Sequence, residues 1–599
     1  MTHVTFAERR HRAGTALFLA MWCALTSGVI LAVEYAAERN LRGHIVWVDA
    51  RYAWMAPLGQ CLVFLGPAVA AAALAWLAPG RVRLGWILGV FAFLGAFSLL
   101  LPYGQIGQWA ATPLALGVTV QLARAYAAAP ERWLAHMRRS GIALAAVVLA
   151  ATGILEAHSL IAQRRAGRSG RGVARDVGPN ILLIVLDTVR RTNLGMYGYH
   201  RATTPHLDRR VREGTLFAHA LATAPWTLPS HASLFTGRSP ISLSYGRRQR
   251  IAGRPRTIAD VLDERGYATA GFAANLLYAS WESGFAGGLR HFDDYPAFSF
   301  GVVIHHAPLI RVRVVERLVR SRSLGQVLEA LATFSLARGA LPADEGRRNA
   351  TQIVDRFLAW QPGAAGRPFF AFINLFDAHA PYDSPAPYRT AFDEGRQAMD
   401  RYDGAIAYLD AEVARLLDSL QARGVLDRTI VVITSDHGEQ FGEHGLAGHA
   451  NSLYLPLLTV PLYIRYPGTV PAGHLVQQPV SLRDVPATIL SLAGAGAETG
   501  IGGSSLRALW GGTSAAGAGP AFAELLPGLD ANPHSPNARD TLWSLTDSAY
   551  HYVRSSAGRE ELYAWRTDSR ERWNLVRDKR ALAALDRLRQ QMRSLRSGR

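Results

Sequence analysis

The first 162 residues carry one apolar run after another, separated only by short arginine-bearing loops. Runs of roughly 20 apolar residues are long enough to cross a bilayer as helices, so a chain with several of them is not one water-soluble domain. Five candidate spans lie at residues 14–33, 53–78, 84–101, 109–122 and 141–161, the last despite Glu156. Beyond them apolar and polar residues alternate as in a globular domain, so the mean hydropathy of +0.06 averages two unlike parts. The expected layout is a helical membrane domain at 1–162, a Gly/Ser- and Arg-containing linker at 163–178, and a soluble remainder.

The basic start Arg9, Arg10 and Arg12 favours a cytoplasmic N-terminus. An odd number of spans then puts the soluble part on the extracytoplasmic side of the cytoplasmic membrane. No secretory cleavage site follows the first apolar run, which is therefore expected to stay in the mature protein. The net charge of +18 does not point to nucleic acid, because its carriers are almost all arginine and are scattered without interleaved aromatics. Lys579 is the only lysine. Cys23 and Cys61 both sit in apolar runs, which removes disulfides, thiolate metal sites and a cysteine nucleophile from the soluble part.

Residues 181–186 form an unbroken apolar run, of the kind buried on both faces of a parallel sheet, and it ends in Asp187. A second run at 429–434 ends in Ser435-Asp436-His437-Gly438-Glu439, and a third at 369–375 ends near Asp377 and His379. In doubly wound α/β sheets ligands bind beyond the carboxyl ends of the strands, so these ends should converge. One strand-end Asp is most simply a cap or turn residue; three coincident strand ends weaken that reading. Asp and His in tandem combine hard oxygen with borderline nitrogen, a donor set suited to Zn²⁺ or Mn²⁺. At 224–238 a hydroxyl residue, Thr227, stands just ahead of a Pro-Ser helix start. The positive helix end favours an alkoxide and an incoming anion there, although an ordinary Thr N-cap explains the same segment.

Together these segments resemble the sulfatase branch of the alkaline phosphatase superfamily, from about residue 180 to 575. The run into Asp187 and the Leu194-Gly195-Met196-Tyr197-Gly198-Tyr199 turn are similar to the family's first strand, metal-binding Asp and following turn. Residues 201–207, 227–238, 377–382 and 429–439 are similar to its Thr-Thr-Pro-x-Leu, nucleophile, His-x-Pro-Tyr and Thr-Ser-Asp-His-Gly-Glu segments, and 561–575 to its tail. The resemblance implies an alkaline-phosphatase-like α/β fold, a doubly wound, mainly parallel sheet at 179–470 with a small C-terminal α+β subdomain at 471–599. An α-helical bundle of about five transmembrane helices precedes it. Residues 297–341, where Arg311, Arg313, Arg317, Arg320 and Arg322 interleave with Val and Leu, read as an insertion: a lid, a helix on the membrane surface, or a plain solvated helix.

The resemblance also implies a site. Asp187, Thr227, Asp436 and His437 would bind one divalent metal ion, Zn, Mn, Mg or Ca with Zn or Mn favoured, and Thr227 would also be the nucleophile. His231, His379, His444 and His449 are the candidate substrate-binding residues, as oxyanion ligands or proton donors. Sulfatases proper use a formylglycine made from Cys or Ser, and no known maturation route makes one from Thr. His231 replaces the family's Arg, and the sulfate-gripping lysines are absent, His449 standing about where one is expected. A Thr nucleophile behind a membrane anchor looks instead like the lipoteichoic-acid synthases and phosphoethanolamine transferases. The leading expectation is therefore transfer of a phospho-headgroup from a membrane lipid donor, through Thr227, to a glycan or lipid acceptor hydroxyl. Hydrolysis of a sulfuric ester or phosphodiester with water as acceptor is the alternative.

Overall fold

The computed structural model describes residues 5–46, 48, 51–101, 108–168, 178–247, 249–294, 308, 348–364, 366–496, 499–511, 519–529 and 532–597; the insertion expected at 297–341 lies outside these apart from Pro308. One compact unit holds Met1–Ala162; a second holds Gln163–Asp294 together with Arg347–Arg599.

The first unit is helical: α1 (Phe6–Leu41), α2 (Tyr52–Leu77), α3 (Leu84–Leu100), α4 (Gln108–Ala128) and α5 (Pro130–Arg168), the last running into the expected linker. Among the described residues three helices are long and apolar enough to cross a membrane: α1, α2 and the Pro130–Leu155 part of α5. The expectation of five spans is corrected to three. At 1.5 Å per residue α3 reaches only about 26 Å, short of a hydrocarbon core of about 30 Å. Helix α4 has the length, but Gln108, Thr112, Thr119, Gln121 and Arg124 dilute its apolar content. The helices approach closely where small residues meet: a Cβ on Gly28 of α1 would stand 2.4 Å from Pro57 Cα of α2. Buried Gln60 of α2 donates to Ser98 Oγ of α3 at 2.7 Å.

The second unit is built on strands β1 (Asn180–Leu186), β2 (Thr215–Leu221), β3 (Ala268–Ala273), β4 (His291–Asp293), β5 (Phe369–Leu375), β6 (Thr429–Thr434), β7 (Gln440–Phe441), β8 (Ala447–Gly448), β9 (Thr459–Val460), β10 (Leu462–Arg465), β11 (His474–Ser481), β12 (Ala521–Leu525), β13 (Leu542–Thr546), β14 (His551–Ser555) and β15 (Glu560–Tyr563). Its helices are α6 (Pro205–Arg210), α7 (Thr227–Thr236), α8 (Ile258–Glu264), α9 (Ala350–Trp360), α10 (Ala398–Ala422), α11 (Leu455–Leu458), α12 (Val485–Leu492) and α13 (Leu582–Ser597).

The main sheet has nine strands in the order β11-β2-β10-β6-β1-β5-β3-β4, with β9 on β2. It is mixed but mainly parallel, β10 and β9 being the antiparallel members. Strands β1, β3, β5 and β6 are adjacent, parallel and buried almost end to end, as the unbroken apolar runs at 181–186 and 429–434 require. Register follows: Val185 pairs with Asn374 on one side and Thr434 on the other, so the residues after β6, β1 and β5 emerge side by side. Strand β11 belongs to this sheet, pairing with β2. The four-stranded antiparallel sheet β12-β13-β14-β15 thus begins at Ala521, not at 471. Helix α13 covers it, placing Leu585, Leu588 and Met592 on Phe522, Leu545, Tyr552 and Leu562.

Candidate metal and nucleophile site

Asp187 follows β1 and Asp436 follows β6, and both are fully buried. One oxygen of each is satisfied by the chain. Asp187 Oδ2 accepts from Asn275 Nδ2 at 2.9 Å and Asn374 Nδ2 at 3.0 Å. Asp436 Oδ1 accepts from the backbone N–H groups of Thr188 at 3.2 Å and His437 at 3.0 Å. Thr188 aims its N–H there by taking a left-handed conformation, φ 63°, costly for a β-branched residue. Its hydroxyl donates to Ala378 O at 2.8 Å, and its carbonyl accepts from buried Tyr402 Oη at 2.8 Å, which holds the turn in place.

The other oxygens, Asp187 Oδ1 and Asp436 Oδ2, are buried without a hydrogen-bond partner, as is His437 Nε2. His437 Nδ1 is engaged with Gly438 O at 2.9 Å, so Nε2 faces Asp436 Oδ2, 3.4 Å away. Gly438 is required beside it: a Cβ there would stand 2.1 Å from Pro456 O of α11. Among the described residues, Asp187, Asp436 and His437 are the one group able to hold a metal, with one ligand atom from each within 4.8 Å of the others. Burial, and for Asp187 the neighbouring Asp436, push both carboxyls up to about 7. Burial, with His449 nearby, holds His437 well below the ordinary imidazole range. Two carboxylates and a neutral imidazole with three unmet donor atoms, in a place water does not reach, fit one divalent cation.

Thr227 is the first residue of α7; the N-cap is Trp226, in extended conformation. Asn275 Nδ2, the amide that holds Asp187, also lies 3.2 Å from Thr227 Oγ1 and so sets the hydroxyl beside that carboxylate. The first turn of α7 leaves backbone N–H groups free for an anion.

The histidines divide. His231, one turn into α7, is fully buried between Phe285 and Phe372, with Nδ1 3.0 Å from Thr227 O and 3.5 Å from Asp436 Oδ2. Burial lowers its pKa, so it stands under the site as a neutral ring. His449 lies 3.0 Å from Oε1 of fully buried Glu439, its ring 4.6 Å from that of His437. Burial opposes its charged form, but Glu439 outweighs that and holds its pKa above the ordinary value. The His379 ring is 5.0 Å from that of His449, so His449 stands between His379 and His437 in a cluster of three rings. His444 is not brought into the group: it is exposed and stacks flat on Tyr454 at 3.6 Å. Asn275 and Asn374, absent from the sequence reading, complete the site; each lies at the end of β3 or β5, where the strand-end rule applied to Asp187 could have found them.

A sequence model of the sulfatase family matches residues 179–495. The dog (Canis lupus familiaris) N-acetylgalactosamine-6-sulfatase is 29% identical over 378 residues, 58% of this chain and 68% of that protein. Mouse (Mus musculus) steryl-sulfatase is 29% identical over 401 residues, 53% of this chain and 62% of that protein, so the chain spans only about two thirds of these relatives. Among solved structures, the phosphonate monoester hydrolase of Agrobacterium radiobacter superposes with a TM-score of 0.52 at 20% identity, covering 70% of this chain and 96% of that one. The Silicibacter pomeroyi enzyme of the same description gives 0.53 at 22%, covering 70% and 95%. At these identities the likeness is one of fold.

Proposed function

The chain belongs to the sulfatase family, and on that premise we propose that it hydrolyses a phosphoric, phosphonic or sulfuric ester, with Thr227 as nucleophile and Asp187, Asp436 and His437 holding one divalent cation, Zn²⁺ or Mn²⁺ by donor type. The observation that carries the proposal is the set of three buried, unpartnered donor atoms beside the Thr227 hydroxyl. When bound, the cation would lower the pKa of that hydroxyl and offset charge on the attacked group.

Thr227 Oγ1, held by Asn275, gives its proton to solvent and attacks phosphorus or sulfur; the bond to the leaving oxygen breaks. The free N–H groups of α7 receive the anion. His449, whose charged form Glu439 favours, would protonate the departing alkoxide. Water then attacks the same phosphorus or sulfur, the Thr227 ester opens, and the hydroxyl is restored. Because Thr227 cannot eject sulfate through an aldehyde hydrate, phosphorus esters come first and sulfate second. Water replaces the acceptor alcohol of the earlier expectation because the matched relatives bear the names of sulfatases and the structural neighbours those of hydrolases.

Headgroup transfer from a membrane lipid to a glycan or lipid acceptor stands as a second reading, favoured by Thr at 227 and by apolar helices in the same chain. The test is detergent-solubilised full-length protein with Zn²⁺, Mn²⁺, Mg²⁺ or Ca²⁺ and p-nitrophenyl phenylphosphonate, bis(p-nitrophenyl) phosphate or p-nitrophenyl sulfate. Metal-dependent release of p-nitrophenolate, abolished in Thr227→Ala, is expected; no turnover with any pairing, or turnover indifferent to the substitution, overturns the proposal. Added glycerol partitions the outcomes: p-nitrophenyl phosphate, phenylphosphonate or sulfate as the main product supports hydrolysis, and the corresponding glycerol ester supports transfer.

A further inference from the structure

The opening turns of α1 carry three arginines with different fates. Arg9 Nη1 donates to Trp76 O at 3.1 Å and Arg12 Nη2 to Val82 O at 2.7 Å, so both are spent on the last turn of α2 and the loop that follows it. Among the described residues Arg10 and its neighbour His11 have no such partner, and neither does Arg138 of α5 across from them. These three cations or potential cations line one cavity of about 560 Å³, together with Phe6, Gly14 and Phe18. The volume is that of an ordinary ligand pocket. A Cβ built on Gly14 would meet nothing within 4 Å, so the glycine leaves the floor of the cleft open. Farther along, Trp22 Nε1 of α1 donates to Ser140 Oγ of α5 at 3.0 Å and ties the two helices together.

Charge at the mouth and Phe18 two turns below it along α1 are arranged as an amphiphile would require. If α1 spans, the step from Arg10 to the apolar stretch beginning near Gly14 falls at headgroup depth, where cationic pockets between helices take anionic lipid headgroups. We infer that the cleft between α1 and α5 binds one anionic phospholipid, its phosphate between Arg10 and Arg138 and an acyl chain along Phe18. This site is independent of the esterase reading, so neither stands or falls with the other.

The experiment uses the full chain in neutral detergent, titrated with short-chain phosphatidylglycerol, phosphatidylcholine or inorganic phosphate and followed by native mass spectrometry and thermal unfolding. Wild type should retain and be stabilised by phosphatidylglycerol over phosphatidylcholine by about 25-fold in affinity, each arginine near a membrane surface contributing about fivefold. Arg10→Ala/Arg138→Ala should abolish the preference, and Gly14→Leu, which fills the cleft without changing charge, should abolish it too. Wild type alone decides if the variants fold poorly: no preference for phosphatidylglycerol overturns the site. Inorganic phosphate binding as tightly as the lipid overturns it as a lipid site, and loss in the arginine variant with full retention in Gly14→Leu reduces it to surface attraction, which also overturns it.

Discussion

Two fully buried acid–histidine groups lie in the same unit and do opposite things. At the C-terminal subdomain, Glu571 Oε1 is bonded to His551 Nδ1 and Oε2 accepts from Leu455 N at 2.8 Å, so both oxygens of that carboxylate are spent within the protein. At the strand ends, Asp187 and Asp436 each keep one oxygen with no partner. Burial and chemistry are alike; the difference is whether the fold supplies the last donor. A carboxylate that the fold satisfies is a fastener, and one left half-satisfied in the dry interior is held ready for a cation.

The comparison breaks most visibly at the acids themselves. Asp187→Asn or Asp436→Asn should lower kcat/KM by about 10³-fold or more and abolish divalent-ion binding in calorimetry, while the unfolding midpoint in EDTA stays level or rises, because an uncompensated buried charge is removed. A midpoint that falls as far as the activity would make these residues fasteners too. Glu571→Ala should do the reverse, costing about 3–5 kcal/mol in chemical denaturation with or without metal, since it strands a buried partner. The stabilisation gained on adding metal should not change.

Asn275→Ala removes the amide shared by Asp187 and Thr227 and should weaken metal affinity by about 10–100-fold, with a matching loss of activity. Asn374→Ala removes one donor to Asp187 and the acceptor of the Asn275 N–H but leaves the amide that reaches Thr227 in place, so it should cost less. A pH series sharpens the same contrast. Both site carboxyls rise from 3.8 to about 7 in the folded chain, so the folded state holds the extra protons. Metal-free protein should therefore lose stability as pH rises from about 4 through about 7, and EDTA should lower the midpoint more at pH 8 than at pH 5. Smallest of all, His444→Ala should leave turnover within about twofold, as for a surface side chain away from the chemistry.

Legibility in the sequence followed the same line. Asp187, Asp436 and His437 were readable because each ends a run so apolar that it must be buried on both faces, and a charged residue at such a place demands an explanation. Asn275 and Asn374 escaped because an amide near a strand end raises no such demand, and only its two-way contact reveals it. His444 sits in a motif rich in site residues, yet its left-handed backbone, φ 55°, turns the ring onto Tyr454. The expected span count is too high at α3 and α4, because an apolar run alone does not weigh length and polar dilution together.

The amino-acid order alone determined the division into an apolar helical part and an α/β part, the parallel strands, and the acids at their ends, because periodicity and unbroken apolar runs decide which residues leave water. Strand order decided the rest. Only by placing β6, β1, β5 and β3 side by side does the fold bring Asp436, Asp187, Asn374 and Asn275 to one point, and only there can it satisfy one oxygen of each acid and leave the other for a metal. Those contacts join residues up to 248 positions apart, and no local pattern records which oxygen will go without a partner.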